Sequence, residues 1–296
     1  MADTVDTPVM ETTAAETSFT APPPAEESFY EAHEPAILGT GFILTVFAIW
    51  ESYPAIFGLS KGMKLFFATP SDIVSALFKL LILNEKLPLV GTIWNHFNAS
   101  TGTFLFGLGL SIVVALPLGV ALGRSQTVDA IFDPFITAFN ATPRLVFLPI
   151  VLIWFGVGFW TVITIVFMGA VFPLLINTYA GVKNADRLLI NVVRSFGANE
   201  WQINKLVVLP NSLPFIIAGL RLAIGRAILG VVVAEFFGGT EYGLGVVMVQ
   251  ASQGYRVDIL FAVLIIFMTV SLLITAAVKK VEDRLSRWRP AKVKTF

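Results

Sequence analysis

Residues 212–237 are apolar enough to read as a membrane helix, yet they carry Arg221, Arg226 and Glu235. A charge at the centre of a bilayer costs about 2.5–3.5 kcal/mol on insertion scales, so such residues face a bundle interior, a cavity or a partner. Their chemistry allows two readings. The arginines line a path for an anion or face a second copy of the chain, or they are structural, held by backbone carbonyls or by Glu235. Arg226 and Glu235 stand roughly 13–14 Å apart along one helix, too far to pair directly. Asn177 and Thr178 are polar at the inner end of another apolar run. They read first as packing or capping residues and second as substrate contacts.

Little else in the chain suggests chemistry. There is no Cys, which excludes a disulfide framework and a thiolate metal site. The two histidines are far apart, His33 in an acidic tail and His96 in an expected loop, so no metal site is expected. No Gly-x4-Gly-Lys-[Ser/Thr] phosphate loop occurs, and residues 58–64 do not match it. No nucleophile, base and orienting group align, so no catalytic residue is expected and the chain does not read as an enzyme. A net charge of zero argues against nucleic acid as a partner.

The elements that must position these residues follow from composition. Of 296 residues, 56% are apolar and 14% charged, against roughly 25% charged in a soluble domain. Residues 1–34 hold eight acidic and no basic residues, and residues 279–296 hold seven basic and two acidic ones. The middle is too apolar for a water-soluble fold. Stretches of roughly 20 apolar residues are membrane helices. Residues 35–50, 104–123, a bent stretch ending at Phe155, the run from there to 182, 212–237 and 259–278 supply six spans. Pro134, Pro143 and Pro149 bend the third. Phe155-Gly156-Val157-Gly158 is the turn that follows it. The expected fold is therefore all-α and membrane-integral, with about six transmembrane helices.

Six spans place both ends on one side. With the ends inside, the inner segments carry 13 basic residues and the outer loops five, which orients both termini to the cytoplasm. The Thr-, Glu- and Pro-rich tail, with Pro22-Pro23-Pro24, reads as disordered. Thr69-Pro70-Ser71-Asp72 starts a helix, and Ile73, Val74, Leu77, Leu80 and Leu81 give it an apolar face, at the outer interface or against the bundle. Ala115, Gly119 and Gly123 recur every four residues and predict close helix packing.

Residues 183–210 form the segment that bears on partners. Leu188, Leu189, Val192, Val193 and Phe196 share one helical face; Arg187, Asn191, Arg194 and Ser195 share the other. Gly197 supplies a C-cap, and Asn199 caps a second short helix that has Glu200 in its first turn. Nine residues then separate Gly197 from Val207, with Leu209 and Pro210 beyond. This resembles the Gly-x9-Ile-x-Leu-Pro half of the signature loop of binding-protein-dependent ABC importer permeases. The Glu-Ala-Ala opening of that loop is replaced by Asn191-Val192-Val193. Further residues are similar to the nitrate, sulfonate and taurine branch: Leu152–Gly158, Phe172-Pro173-Leu174 with Gly181, Pro214, Ala218–Ala223, Ala234-Glu235, Gly243-Leu244-Gly245 and Pro70-Ser71. The match runs from about residue 69 to 280.

The resemblance implies a permease bundle coupled to partners. They are a second copy of the permease, two ATPase subunits that bind ATP and Mg on their own chains, and an external solute-binding protein, all at lipid of the bacterial inner membrane. No cofactor belongs to this chain. Docking on the ATPase would fall to Arg187, Asn191, Arg194, Ser195, Phe196, Gly197, Ala198, Asn199, Val207, Leu209 and Pro210. The implied solute is a small anionic or organic molecule such as nitrate, a sulfonate, taurine or bicarbonate. The organisation is a disordered acidic tail (1–34), a first span (35–60), an external loop with an amphipathic helix (61–100), a permease core (101–279) that includes coupling loop 183–210, and a basic tail (280–296). The competing readings are a self-sufficient secondary transporter, whose internal repeat is not evident, and an intramembrane enzyme.

Overall fold

The structure is a computed structural model that describes residues 29–58, 60, 62–84, 91–238 and 240–285; the tail residues 1–28 and 286–296 lie outside the described residues. Every regular element among the described residues is helical. Five helices are long and apolar enough to cross a membrane, and a sixth crossing is made if one pair bent by 93° counts as one span. The all-α membrane bundle expected from composition is the fold observed.

Helix α1 spans Phe29–Ile56. It takes in the last six residues assigned to the acidic tail, 29–34. The chain divides into two compact units, residues 1–49 and 50–296. In the first, the apolar side chains Phe42 and Leu44 of α1 are exposed, as lipid-facing residues are. The second unit holds the rest. Its helix α2, Pro70–Leu81, opens with a capping box: Thr69 accepts from the Asp72 amide and Asp72 accepts from the Thr69 amide. Glu51 adds a second carboxylate there, accepting from the Ser71 amide at 3.0 Å and its hydroxyl at 2.7 Å. Ile73, Ala76 and Leu80 are buried, and α2 packs on the last helix. The amphipathic helix therefore lies against the bundle, with Val74 and Phe78 exposed on its far side.

Helix α3, Ile93–Arg124, starts 11 residues before the apolar run at 104. His96 is thus helical and fully buried, not in a loop. Helices α4, Gln126–Ala141, and α5, Leu148–Phe155, are the bent pair; Thr142 and Pro143 are extended at the break. Proline disfavours helical backbone in the residue before it, so Pro143 ends α4. The turn expected at 155–158 is present, with Gly156 and Gly158 at φ +71° and +138°.

Helix α6, Phe159–Lys183, is the centre of the bundle and packs along both α3 and α9, Leu209–Gly238. The small residues expected to permit this do so. Ala115 is fully buried. A Cβ added at Gly119 would sit 2.7 Å from Thr178 Cβ, and one at Gly123 would sit 2.5 Å from a Val182 methyl. Gly219 and Gly230 play the same part where α9 meets α6. Lipid chains are as apolar as the helices, so close van der Waals contact of this kind holds the helices together.

Between α6 and α9 come α7, Arg187–Ser195, and α8, Glu200–Ile203. A π turn at Asn204–Val208 joins α8 to α9, so the second short helix runs on into the fifth span. Pro210 explains the wide turn: it has no N–H and its ring crowds the carbonyl four residues back. Helix α10, Leu244–Gln253, and α11, Val257–Leu285, complete the chain. Helix α10 was not expected from the pattern. Helix α11 takes in the first six residues assigned to the basic tail.

Candidate functional site

The α7–α8 loop is a rigid projection built by four local devices. Asp186 caps α7, accepting from the Leu188 amide at 2.8 Å. At its other end Gly197 adopts φ +83°, its N–H bonds the Arg194 carbonyl at 2.9 Å, and the Ala198 N–H bonds that of Val193 at 3.3 Å. Those two bonds are the Schellman pattern, which favours glycine at the left-handed position. Asn199 and Gln202 then form a reciprocal capping box on α8, both bonds at 2.9 Å. Glu200 ties the projection to the bundle by pairing with Arg124 at the end of α3 and with Arg194 of α7 at 2.7 Å.

A small apolar core stiffens the loop. Val182, Ala185, Ile203 and Val208 are buried together, with Ile190, Val193 and Ala198 packed on them. The face expected to be apolar is consequently divided. Val193 turns inward, while Leu188, Leu189, Val192 and Phe196 remain exposed, Phe196 by 87%. Trp201 is exposed by 68%, and Lys205 lies over its ring at 5.1 Å.

The sequence-derived docking residues take different places. Arg187, Asn191 and Arg194 face a polar cleft of about 430 Å³ shared with Arg124, Asp129 and Lys183. Ser195 donates to the Val192 carbonyl. Phe196, Leu209 and Pro210 are exposed, and Gly197 and Asn199 are the two caps. Ala198 is half-buried, and Val207 is buried, so these two support the projection from beneath. Trp201 escaped the sequence reading although its type and place beside a capped turn were visible. Asp186 and Gln202 also escaped it. The signals were an Asp just before an apolar-periodic stretch and a Gln three residues after Asn199.

The charged residues of α9 separate into three environments. Arg221 pairs with Glu282 near the end of α11, not with Glu235. Arg226 donates to Asn140 Oδ1 of α4 at 3.2 Å. Glu235 is 1% exposed. Its oxygens accept from Ser100 Oγ at 2.8 Å and from the Gly245 amide at 2.9 Å, while Ser100 Oγ accepts from the Leu244 amide at 2.8 Å. His96 Nδ1 lies 3.0 Å from both backbone polar atoms of Gly243. Glu235 therefore sits in a buried hydrogen-bonded node joining α3, α9 and α10. Asn177 donates to the Pro173 carbonyl and packs against Gly219, and Thr178 donates to the Leu174 carbonyl and packs against Gly119. Both side chains thus bond back into α6 and pack at its helix seams, Asn177 half-buried and Thr178 fully buried.

Residues 107–287 match the family described as binding-protein-dependent transport system inner membrane component, and the chain belongs to that family. It is similar to the taurine transport system permease protein TauC of Escherichia coli, 28% identical over 251 residues that cover 85% of this chain and 89% of the relative. It is also similar to the putative aliphatic sulfonates transport permease protein SsuC of Bacillus subtilis, 33% identical over 244 residues, 82% of this chain and 84% of that one. Its fold is like that of a chain of the inward-facing MetNI methionine ABC transporter, with a TM-score of 0.53 at 22% identity over 65% of this chain and 94% of that chain.

Proposed function

We propose that this permease subunit works as one half of a pore with a second copy of itself, driven by two separate ATPase chains that carry ATP and Mg. The observation that supports ATPase docking is the exposed apolar cluster on the α7–α8 projection. Leu188, Val192, Phe196 and Trp201 stand in water-accessible positions on a segment whose caps and core hold it rigid. Large exposed apolar groups on a rigid support are what a partner surface requires. The projection lies in the cytoplasm in this reading, with both termini on the same side. An external solute-binding protein delivers the solute. The named relatives support a sulfonate or taurine-like substrate. The test is co-purification of an ATPase chain from the native membrane with the tagged permease. The expected result is stoichiometric recovery from wild type and recovery reduced about tenfold or more in Phe196→Asp, since burying an unpaired charge opposes association. Robust ATP hydrolysis by the isolated chain would sink this reading.

A further inference from the structure

Two arginines come close inside the bundle, and among the described residues no acid pairs with either. Arg144 follows Pro143 at the break between α4 and α5. Arg226 stands on α9, and Gly169 of α6 lies beside both. A Cβ at Gly169 would be 3.0 Å from the Arg226 carbonyl oxygen and 3.8 Å from an Arg144 guanidinium nitrogen. The Arg226 guanidinium reaches toward the same break, its Nη1 donating to Asn140, four residues before Arg144, at 3.2 Å. Gly169 is about 15 Å along α6 from its Phe159 end, at the helix rise of 1.5 Å per residue, which is well inside the span. Both arginines are half-buried, and among the described residues neither forms an ion pair. Arg221, by contrast, is committed to Glu282.

Two like charges held together in an apolar medium are unfavourable unless an anion is shared between them. Guanidinium forks suit the oxygens of a planar or tetrahedral oxoanion. The backbone offers a second sign. Thr142 and Pro143 are extended at the break, and irregular backbone at membrane depth is tolerated where it is buried in protein or lines a water-filled cavity. Phe139, next in sequence to Asn140, lies 6.1 Å from both Phe147 and Phe172, nearly parallel to the latter. Phe147 follows Arg144 by three residues, so this ring cluster flanks the break in sequence, with Phe139 45% exposed.

We propose that Arg144 and Arg226 bind the oxoanion head of the transported solute inside the membrane, with the Phe139 cluster accepting a short apolar body. The solute class is a small organic sulfonate or similar oxoanion. This deepens the permease reading and rests on it. Asn140 holds Arg226 in place through its 3.2 Å contact and so acts as a positioning residue.

The test uses the full chain in nanodiscs, without ATPase, and radiolabelled ethanesulfonate as probe. Saturable binding is expected in wild type, competed by methanesulfonate and not by neutral methanesulfonamide. Arg144→Gln and Arg226→Gln should each weaken binding about tenfold or more, the loss of one strong charged contact. Arg144→Lys and Arg226→Lys keep the charge and lose the fork, so they should weaken it severalfold. They serve as the test where a Gln variant fails to insert. Absence of saturable binding by wild type, equal competition by the sulfonamide, or unchanged affinity in the variants overturns the site. If those failures occur while wild type still recovers its ATPase, only the anion site falls. If ATPase recovery from wild type also fails, the permease reading falls with it.

Discussion

Glu235 caps α10 from a neighbouring helix. Gly243, just before α10, has no side chain to accept the first amides, and the Glu235 carboxylate fills the space where one would be: a Cβ at Gly243 would be 2.5 Å from its Cδ. A carboxylate at a helix N-terminus meets both free N–H groups and the positive end of the dipole. Glu235→Ala removes the acceptor for the Gly245 amide and for Ser100 Oγ, each worth about 1–3 kcal/mol when buried and unmatched. The unfolding temperature of the detergent-solubilised protein should fall clearly, and fall less for Glu235→Gln, which keeps one acceptor oxygen. An unfolding temperature unchanged in Glu235→Ala would remove the node from the stability account. Gly197 is a purely conformational case, because nothing lies within 4 Å of a Cβ built there. At φ +83° an ordinary side chain costs about 1–2 kcal/mol. Gly197→Val should reduce ATPase recovery and solute uptake while membrane insertion stays normal. Gly197→Asn should retain more of both, because Asn enters the left-handed region readily. Equal behaviour of the two variants would show that backbone conformation at this position does not matter.

At the level of helices, the α3–α6 seam is tested by two glycines on one helix. Gly119 lies against Thr178, whereas nothing lies within 4 Å of a Cβ at Gly109. Gly119→Leu should destabilise by about 1–3 kcal/mol or more through overpacking, and Gly109→Leu should be nearly neutral. Yield of monodisperse protein and unfolding temperature would separate them. The seam was legible beforehand because small residues at four-residue spacing are a local pattern. Apolar length likewise disclosed most of the spans. The first 11 residues of α3 were not legible, because Asn95, His96, Asn98, Ser100 and Thr101 lower the hydropathy of a segment that is nevertheless helical. Ser100 and His96 find their partners 135 and 147 residues away in Glu235 and Gly243. No local pattern announces a polar group satisfied at that separation. The same holds for Arg221, whose partner Glu282 lies in what reads as a solvated tail. The α7–α8 caps were half legible: Gly197 and Asn199 act through neighbours in sequence, whereas the Arg124–Glu200 tie needs the folded bundle.

For the whole molecule, the bent pair α4–α5 decides the topology. If Gln126–Ala141 and Arg144–Phe155 together cross the membrane once, the chain has six crossings and its ends share a side. If the pair enters and leaves on one side, five crossings remain and the ends are opposed. The distribution of basic residues favours the first arrangement: with Arg144 counted inside the membrane, 12 remain on one side and five on the other. The chain has no Cys, so a single introduced thiol reports its own position without background. Lys79 of α2 and Lys280 of α11 are both exposed, and Arg187 is exposed on α7. Six crossings place Lys79→Cys opposite both Arg187→Cys and Lys280→Cys. Five crossings place all three on one side, because removing one crossing between residues 84 and 187 moves both later sites across together. A membrane-impermeant maleimide applied to intact cells should therefore label Lys79→Cys alone. The other two should react only after the membrane is opened. Labelling of all three from outside would mean that the α4–α5 pair is re-entrant, and the α7–α8 projection would then face away from any cytoplasmic ATPase. The topology and the docking proposal thus stand or fall on the same measurement.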